Sequence, residues 1–259
     1  MNYSDFHKIV LAFVLSAIRI SAAMAICPAT SSTMITGLAR RVAALAFAAV
    51  LVPRVIAQME ELSAFLFCAV ALKEALVGFL IGFFASIPFW VAENTGNFID
   101  NQRGATMGEV YSPLSGAQVS TTGILFTQIV STIFYISGAI LLFLGAIYAS
   151  YDFIPLFGKQ LAAAPDAHAF ALDTLDNMMR TTYIISAPII ILMFLATIGL
   201  GFVNRTAPQL NVFFLSMPVK SALGIAFLIV YIEYILDMLM YDSQSALLGP
   251  LLRIFDVQT

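Results

Sequence analysis

Charge is what this chain has least of. Only 10% of its 259 residues are Asp, Glu, Lys or Arg, while 61% are hydrophobic. A soluble domain carries about 25% charged residues. So much apolar surface exceeds what a core of this size can hide, which places the chain in lipid or in a large helical assembly. The formal net charge of −3 offers no basic footprint for nucleic acid. Histidine occurs only at His7 and His168, far apart, which is too little for a zinc site or a His-based catalytic dyad. Cysteine occurs only at Cys27 and Cys68, inside or beside apolar runs. Two buried free thiols that behave as small hydrophobes are the expectation. GxxxxGK[ST], HExxH and GxSxG are all missing, and no carboxylate pair stands out. The expectation is therefore no enzyme and no cofactor.

What is present is a series of long apolar runs, at residues 9–26, 42–52, 62–91, 122–150, 183–203 and 212–236. They are too long and too uniformly apolar for half-buried strands, so an all-α, membrane-associated fold is expected. With no internal repeat and no low-complexity linker, residues 1–259 read as a single domain. Asp5 precedes the first run and Arg19 interrupts it, which fits a retained helix better than a signal peptide. The run lengths are uneven. About 20 helical residues span a hydrocarbon core of about 30 Å. The second run gives only about 16 Å before Pro53, and the third about 45 Å. Broken helices or helical hairpins would accommodate both. Pro88, Pro188 and Pro218 are expected to kink or break their helices.

Several of the few charges lie inside these runs: Arg19, Lys73, Glu74, Lys220 and Glu233. A charge at the lipid centre costs at least about 2.5–3.5 kcal/mol, so each should face protein or water, as an interhelical or intersubunit tie. Lys73 and Glu74 are adjacent and point about 100° apart on a helix, so each needs a partner elsewhere. Ala71, Ala75, Gly78, Gly82 and Ser86 form a small-residue seam on the third run, with Gly78 and Gly82 as helix-packing positions. Residues 151–180 hold four acids and two bases, and read as a solvated acidic loop. Arg40, Arg41, Arg103 and Arg205 fall on the opposite side by a simple count of crossings, which the positive-inside rule makes cytoplasmic.

Two stretches stand apart. Residues 93–120, ENTGNFIDNQRGATMGEVYSPLSGAQVS, form a long polar interruption between apolar runs. Such a segment is either an exposed loop or a buried working part. Asn101, Gln102, Arg103 and Gly104 are the candidates there for gate or interface contacts, and Gly96, Gly104 and Gly108 would allow close backbone approach. Residues 199–224, GLGFVNRTAPQLNVFFLSMPVKSALG, contain Arg205, Pro208 and Asn211 at what spacing alone makes a helix–turn–helix connection with a snorkelling Arg.

The string NRTAPQLNVFFLSMPVKSALG resembles the C-terminal signature of the FliR/SctT family, the T subunit of the type III secretion export apparatus. FIDNQRGATMGEVYSPLSGAQVSTTGILFTQ resembles that family's central region, in the form of the injectisome rather than the flagellar branch. The resemblance implies a pore-forming subunit of the bacterial inner membrane. It implies assembly with R and S subunits into a helical export core, next to export gate and switch subunits, through which unfolded proteins pass. Arg205, Pro208 and Asn211 are carried over as the family motif. From another class, the charges at Lys73, Glu74, Lys220 and Glu233 would suit a small-molecule or ion transporter with a midplane site. That reading expects matching inverted halves, which the sequence does not display.

Overall fold

A computed structural model describes residues 3–31, 34–58, 64–104, 120–157, 167–206, 209 and 212–254. All regular structure among them is helical: α1 (Tyr3–Ile26), α2 (Gly37–Gln58), α3 (Ala64–Arg103), α4 (Thr121–Ile136), α5 (Ala139–Phe153), α6 (Ala167–Thr206) and α7 (Val212–Ile254), with one 3₁₀ turn at Pro28–Thr30. Five helices are long and apolar enough to cross a membrane, or six if α4 and α5 form one bent span.

The prolines do not break their helices. α2 runs through Pro53 to Gln58, 22 residues in all, or about 33 Å. The Pro53 ring is on the exposed side of the helix, clear of its packed face. α3, α6 and α7 likewise continue through Pro88, Pro188 and Pro218. Apolar surroundings offer the freed carbonyls no competing water, and small local adjustments keep the helix. The break comes at a glycine instead. Gly138 adopts φ +75, a left-handed conformation that glycine tolerates at no steric cost, and α4 and α5 are bent by 73° there. Described parts of the two polar stretches, 93–120 and 151–180, are helical. Residues 93–103 form the last turns of α3, and Asp173, Asp176 and Arg180 belong to α6.

The chain's contacts fall into two compact units, Met1–Ile87 with Phe134–Ala169 and Gln244–Thr259, and Pro88–Ile133 with Phe170–Ser243. In the first, α1 packs on α2, which buries Ala44, Ala48, Leu51 and Val55. That spacing is one helix face. α1 also packs on α3, where Gly78 and Gly82 let the backbones meet. A Cβ at Gly78 would sit 2.2 Å from the Arg19 carbonyl oxygen, and one at Gly82 would sit 2.5 Å from that of Ala23. The small-residue seam therefore packs within the chain.

In the second unit, Met178, Thr182, Ile185, Ser186, Ile189 and Met193 form the buried stripe of α6. Its hydroxyls donate to their own helix, Thr182 to the Met178 carbonyl at 2.8 Å and Ser186 to that of Thr182 at 2.8 Å. Thr95, Ser131 and Thr197 do the same. Such back-bonding lets apolar helices carry small polar residues with no outside partner. The remaining faces are apolar and open, as at Phe194, Phe202, Phe214 and Val230.

Candidate functional site

The last three turns of α3, ENTGNFIDNQR, have two faces. Ala92, Thr95, Ile99 and Asp100 are buried. Glu93 and Asn101 are exposed and Asn97 is half-buried, in a stripe at four-residue spacing. The buried face meets the start of α4. At Gly96 an added Cβ would sit 2.3 Å from the Gly123 nitrogen, so the helices cross backbone on backbone.

One turn further on, Asp100 binds both the end of α3 and the start of α4. Its carboxylate accepts from the Ser120 hydroxyl at 2.7 Å, the Thr122 N–H at 3.0 Å and the Thr122 hydroxyl at 2.6 Å. It also pairs with Arg103 at 2.7 Å. Arg103 donates in turn to the Thr122 hydroxyl at 3.2 Å. Ser120 is the N-cap of α4, accepting from the Gly123 N–H at 2.8 Å. α4 thus starts on a serine cap and a buried carboxylate, which is the sign its positive end favours. Gly104 closes α3 with φ +78, the usual left-handed helix terminus.

Of the positions singled out from sequence, Arg103 and Gly104 lie in this cluster, Asn101 is exposed beside it and Gln102 is half-buried. Gly108, Pro208 and Asn211 lie outside the described residues. Asp100, Ser120 and Thr122 were not singled out. The available signal was Ser120, a helix-capping residue immediately before an apolar run.

A second cluster lies in the other unit. Arg19 and Glu74 are both fully buried and form a two-pronged pair, with Arg19 Nε to Glu74 Oε2 at 2.7 Å and Nη2 to Oε1 at 2.8 Å. Arg19 also donates to the Ser150 hydroxyl at 2.8 Å and the Ile154 carbonyl at 3.0 Å. Its guanidinium lies 3.7 Å from the centre of the Tyr151 ring. Lys73, next to Glu74, turns instead to the carbonyls of Pro155 and Leu156, at 2.6 Å each.

Three other charges singled out from the sequence lie outside these two clusters. Lys220 is half-buried, and Glu233 and Arg205 are exposed. Lys220 and Glu233 stand 13 residues apart on α7, or about 20 Å. Both Glu74 oxygens are taken by Arg19. The thiols also divide, since Cys27 is buried but Cys68, on the open side of α3, is exposed. That corrects the expectation of two buried thiols.

The family model for bacterial export proteins, family 1, matches residues 10–245. The chain belongs to this family. It is 35% identical over 240 residues to Yop proteins translocation protein T of Yersinia pestis, covering 92% of this chain and 91% of that one. It is 38% identical over 181 residues, 66% of each chain, to secretion system apparatus protein SsaT of Salmonella typhimurium. It is 36% identical over 172 residues, 64% of each chain, to flagellar biosynthetic protein FliR of Bacillus subtilis. This bacterial export protein is thus a type III secretion apparatus component of the injectisome-type T subunit. Its candidate spans make it a multi-pass inner-membrane protein. The relatives' names describe apparatus parts rather than enzymes.

Proposed function

We propose that this chain is a wall subunit of a protein-conducting core. It assembles with R and S subunits in the inner membrane, beside export gate and switch subunits, and conducts unfolded protein substrates. The observation that carries the reading is the two-faced end of α3. Asp100 and Arg103 are turned inward and neutralise one another. Glu93 and Asn101 are turned outward, while Asn97 is half-buried with its side-chain oxygen beside Gly123 of α4. Polar side chains left open at membrane depth need water or a polar partner. An outward carboxylate and amide suit a hydrated route for sequences of many kinds, because they hydrogen-bond to any backbone and offer no apolar anchor. Asn101, Gln102, Arg103, Gly104 and Arg205, with Pro208 and Asn211, remain the gate and interface candidates within this proposal.

Native mass spectrometry after co-expression with candidate R and S subunits tests the assembly. The expected result is one heteromeric complex with unequal copy numbers. A stable homo-oligomer of this chain that excludes both partners overturns it. Cysteine cross-linking from Asn101→Cys to a stalled substrate tests the wall. Cross-links from the apolar Ile229→Cys in place of position 101 would move the route to another face.

A further inference from the structure

The chain leaving α5 has a difficulty that Arg19 and Lys73 resolve. α5 ends at Phe153, and Ile154, Pro155 and Leu156 follow in non-helical backbone. Leu156 is 1% exposed. Among the described residues, the carbonyls of these three accept no backbone hydrogen bond outside the helices. A buried carbonyl without a donor is costly, and within a bilayer no water is at hand to supply one.

All three carbonyls are instead bound by cationic side chains. Ile154 accepts from Arg19, and both Pro155 and Leu156 accept from Lys73. Arg19 lies 13 residues into the apolar span Phe6–Ile26 and 7 from its end, so about 20 Å and about 10 Å from the two ends. Lys73 lies 8 residues into the span that starts at Phe65, about 12 Å from its end. Two positive charges meet one negative at Glu74, so the cluster carries a net positive charge, which suits a group of carbonyl oxygens at a helix's negative end.

We propose that Arg19 and Lys73 form a carbonyl-binding site that terminates α5 inside the apolar layer, with Lys73 as the positioning residue for 154–156. The assignment concerns the chain alone and does not depend on the conduit. It gives the adjacent, oppositely charged Lys73 and Glu74 separate tasks. Glu74 holds Arg19, and Lys73 holds the exit chain.

The test is thiol accessibility in native membranes, on the full chain carrying Cys68→Ser and Leu156→Cys. With Lys73 present, position 156 should resist a charged, membrane-impermeant maleimide. Lys73→Met should raise the labelling rate at least tenfold, as the unbound carbonyls move toward water. Lys73→Arg should keep the protection, since it retains both charge and reach. Rapid labelling with Lys73 intact overturns the proposal, because the exit would then lie at the water surface. Equal protection in Lys73→Met also overturns it. Should Lys73→Met not be recovered in membranes, Lys73→Arg decides. Recovery with protection supports the site, while loss of the chain or of protection refutes it.

Discussion

Glu74→Ala is the substitution whose cost can be worked most directly. It would leave the fully buried Arg19 without its counter-charge. Removing one partner of a buried pair costs about 3–5 kcal/mol, because the remaining charge stays desolvated. Here Arg19 keeps the Ser150 hydroxyl, the Ile154 carbonyl and the Tyr151 ring. A desolvated cation–π contact is worth about 2 kcal/mol, so the low end, about 3 kcal/mol, is the reasoned value. In a chain of this size about 1 kcal/mol moves the melting temperature by roughly 2–4 °C. The expected drop is therefore about 6–12 °C. Arg19→Met combined with Glu74→Leu should recover most of it, since replacing a buried pair by apolar residues is often near neutral. Heating the detergent-solubilised chain, fused to a fluorescent reporter, and following its size-exclusion peak gives each melting point. Arg19→Met and Glu74→Leu, made singly and together, form a double-mutant cycle with the parent. A melting point within about 2 °C of the parent for Glu74→Ala would refute the reasoning. So would a double variant as unstable as the sum of the two single changes.

The other expectations are narrower. Asp100→Asn removes the counter-charge of Arg103 and weakens the cap on α4. Hydrogen bonds to charged groups are worth about 1.5–3 kcal/mol, so a loss of that order should appear in the same heating assay. Arg103→Glu sets a second carboxylate beside Asp100. It should impair secretion more than Arg103→Gln, measured on a secreted reporter; equal effects would argue against the pair. Gly82→Leu should destabilise the isolated chain, because the obstacle is the Ala23 backbone of its own α1. A stable monomer that merely fails to associate would contradict that. Burial pushes the Cys27 thiol up to about 11, so thiolate is scarce below that pH and N-ethylmaleimide should spare Cys27 at pH 7.5. Cys68 should be modified, and intact-mass measurement separates the two.

Some of this was readable before any coordinates. A charge at Arg19 in an apolar run needs a polar partner, and neighbours at Lys73 and Glu74 cannot share one. Those follow from the sequence and from the cost of bare charge in lipid. That the partner is Glu74 does not follow, because pairing depends on how α1 slides along α3. That register is fixed where Gly78 and Gly82 meet backbone. The break at Gly138 was invisible for the opposite reason, since the same apolar run also holds Gly123 and Gly145 and no proline marks one glycine out. That the helices continue through Pro53, Pro88, Pro188 and Pro218 was not readable either, because a proline in an apolar run fits an ended helix and a continued one alike. The Asp100 cluster was hidden because ENTGNFIDNQR is polar on both faces. Periodicity cannot separate an inward Asp100 from an outward Asn101 when neither face is apolar.

The two clusters obey one rule of sign, and that rule can be broken deliberately. α3 supplies an acid, Asp100, where α4 begins and a base, Lys73, where the chain leaves α5. The positive end of a helix favours the first and the negative end the second. A helix ending in water needs neither, because water solvates both ends and salt screens what remains. If Lys73 only fills space, Lys73→Met and Lys73→Glu should be tolerated about equally. If it binds carbonyl oxygens, glutamate must be the worse, since it sets an anion against two acceptors and beside Glu74. The expected order of melting temperatures is Lys and Arg together, then Met, then Glu. Equal values for Met and Glu would reduce the cluster to packing, however short its hydrogen bonds.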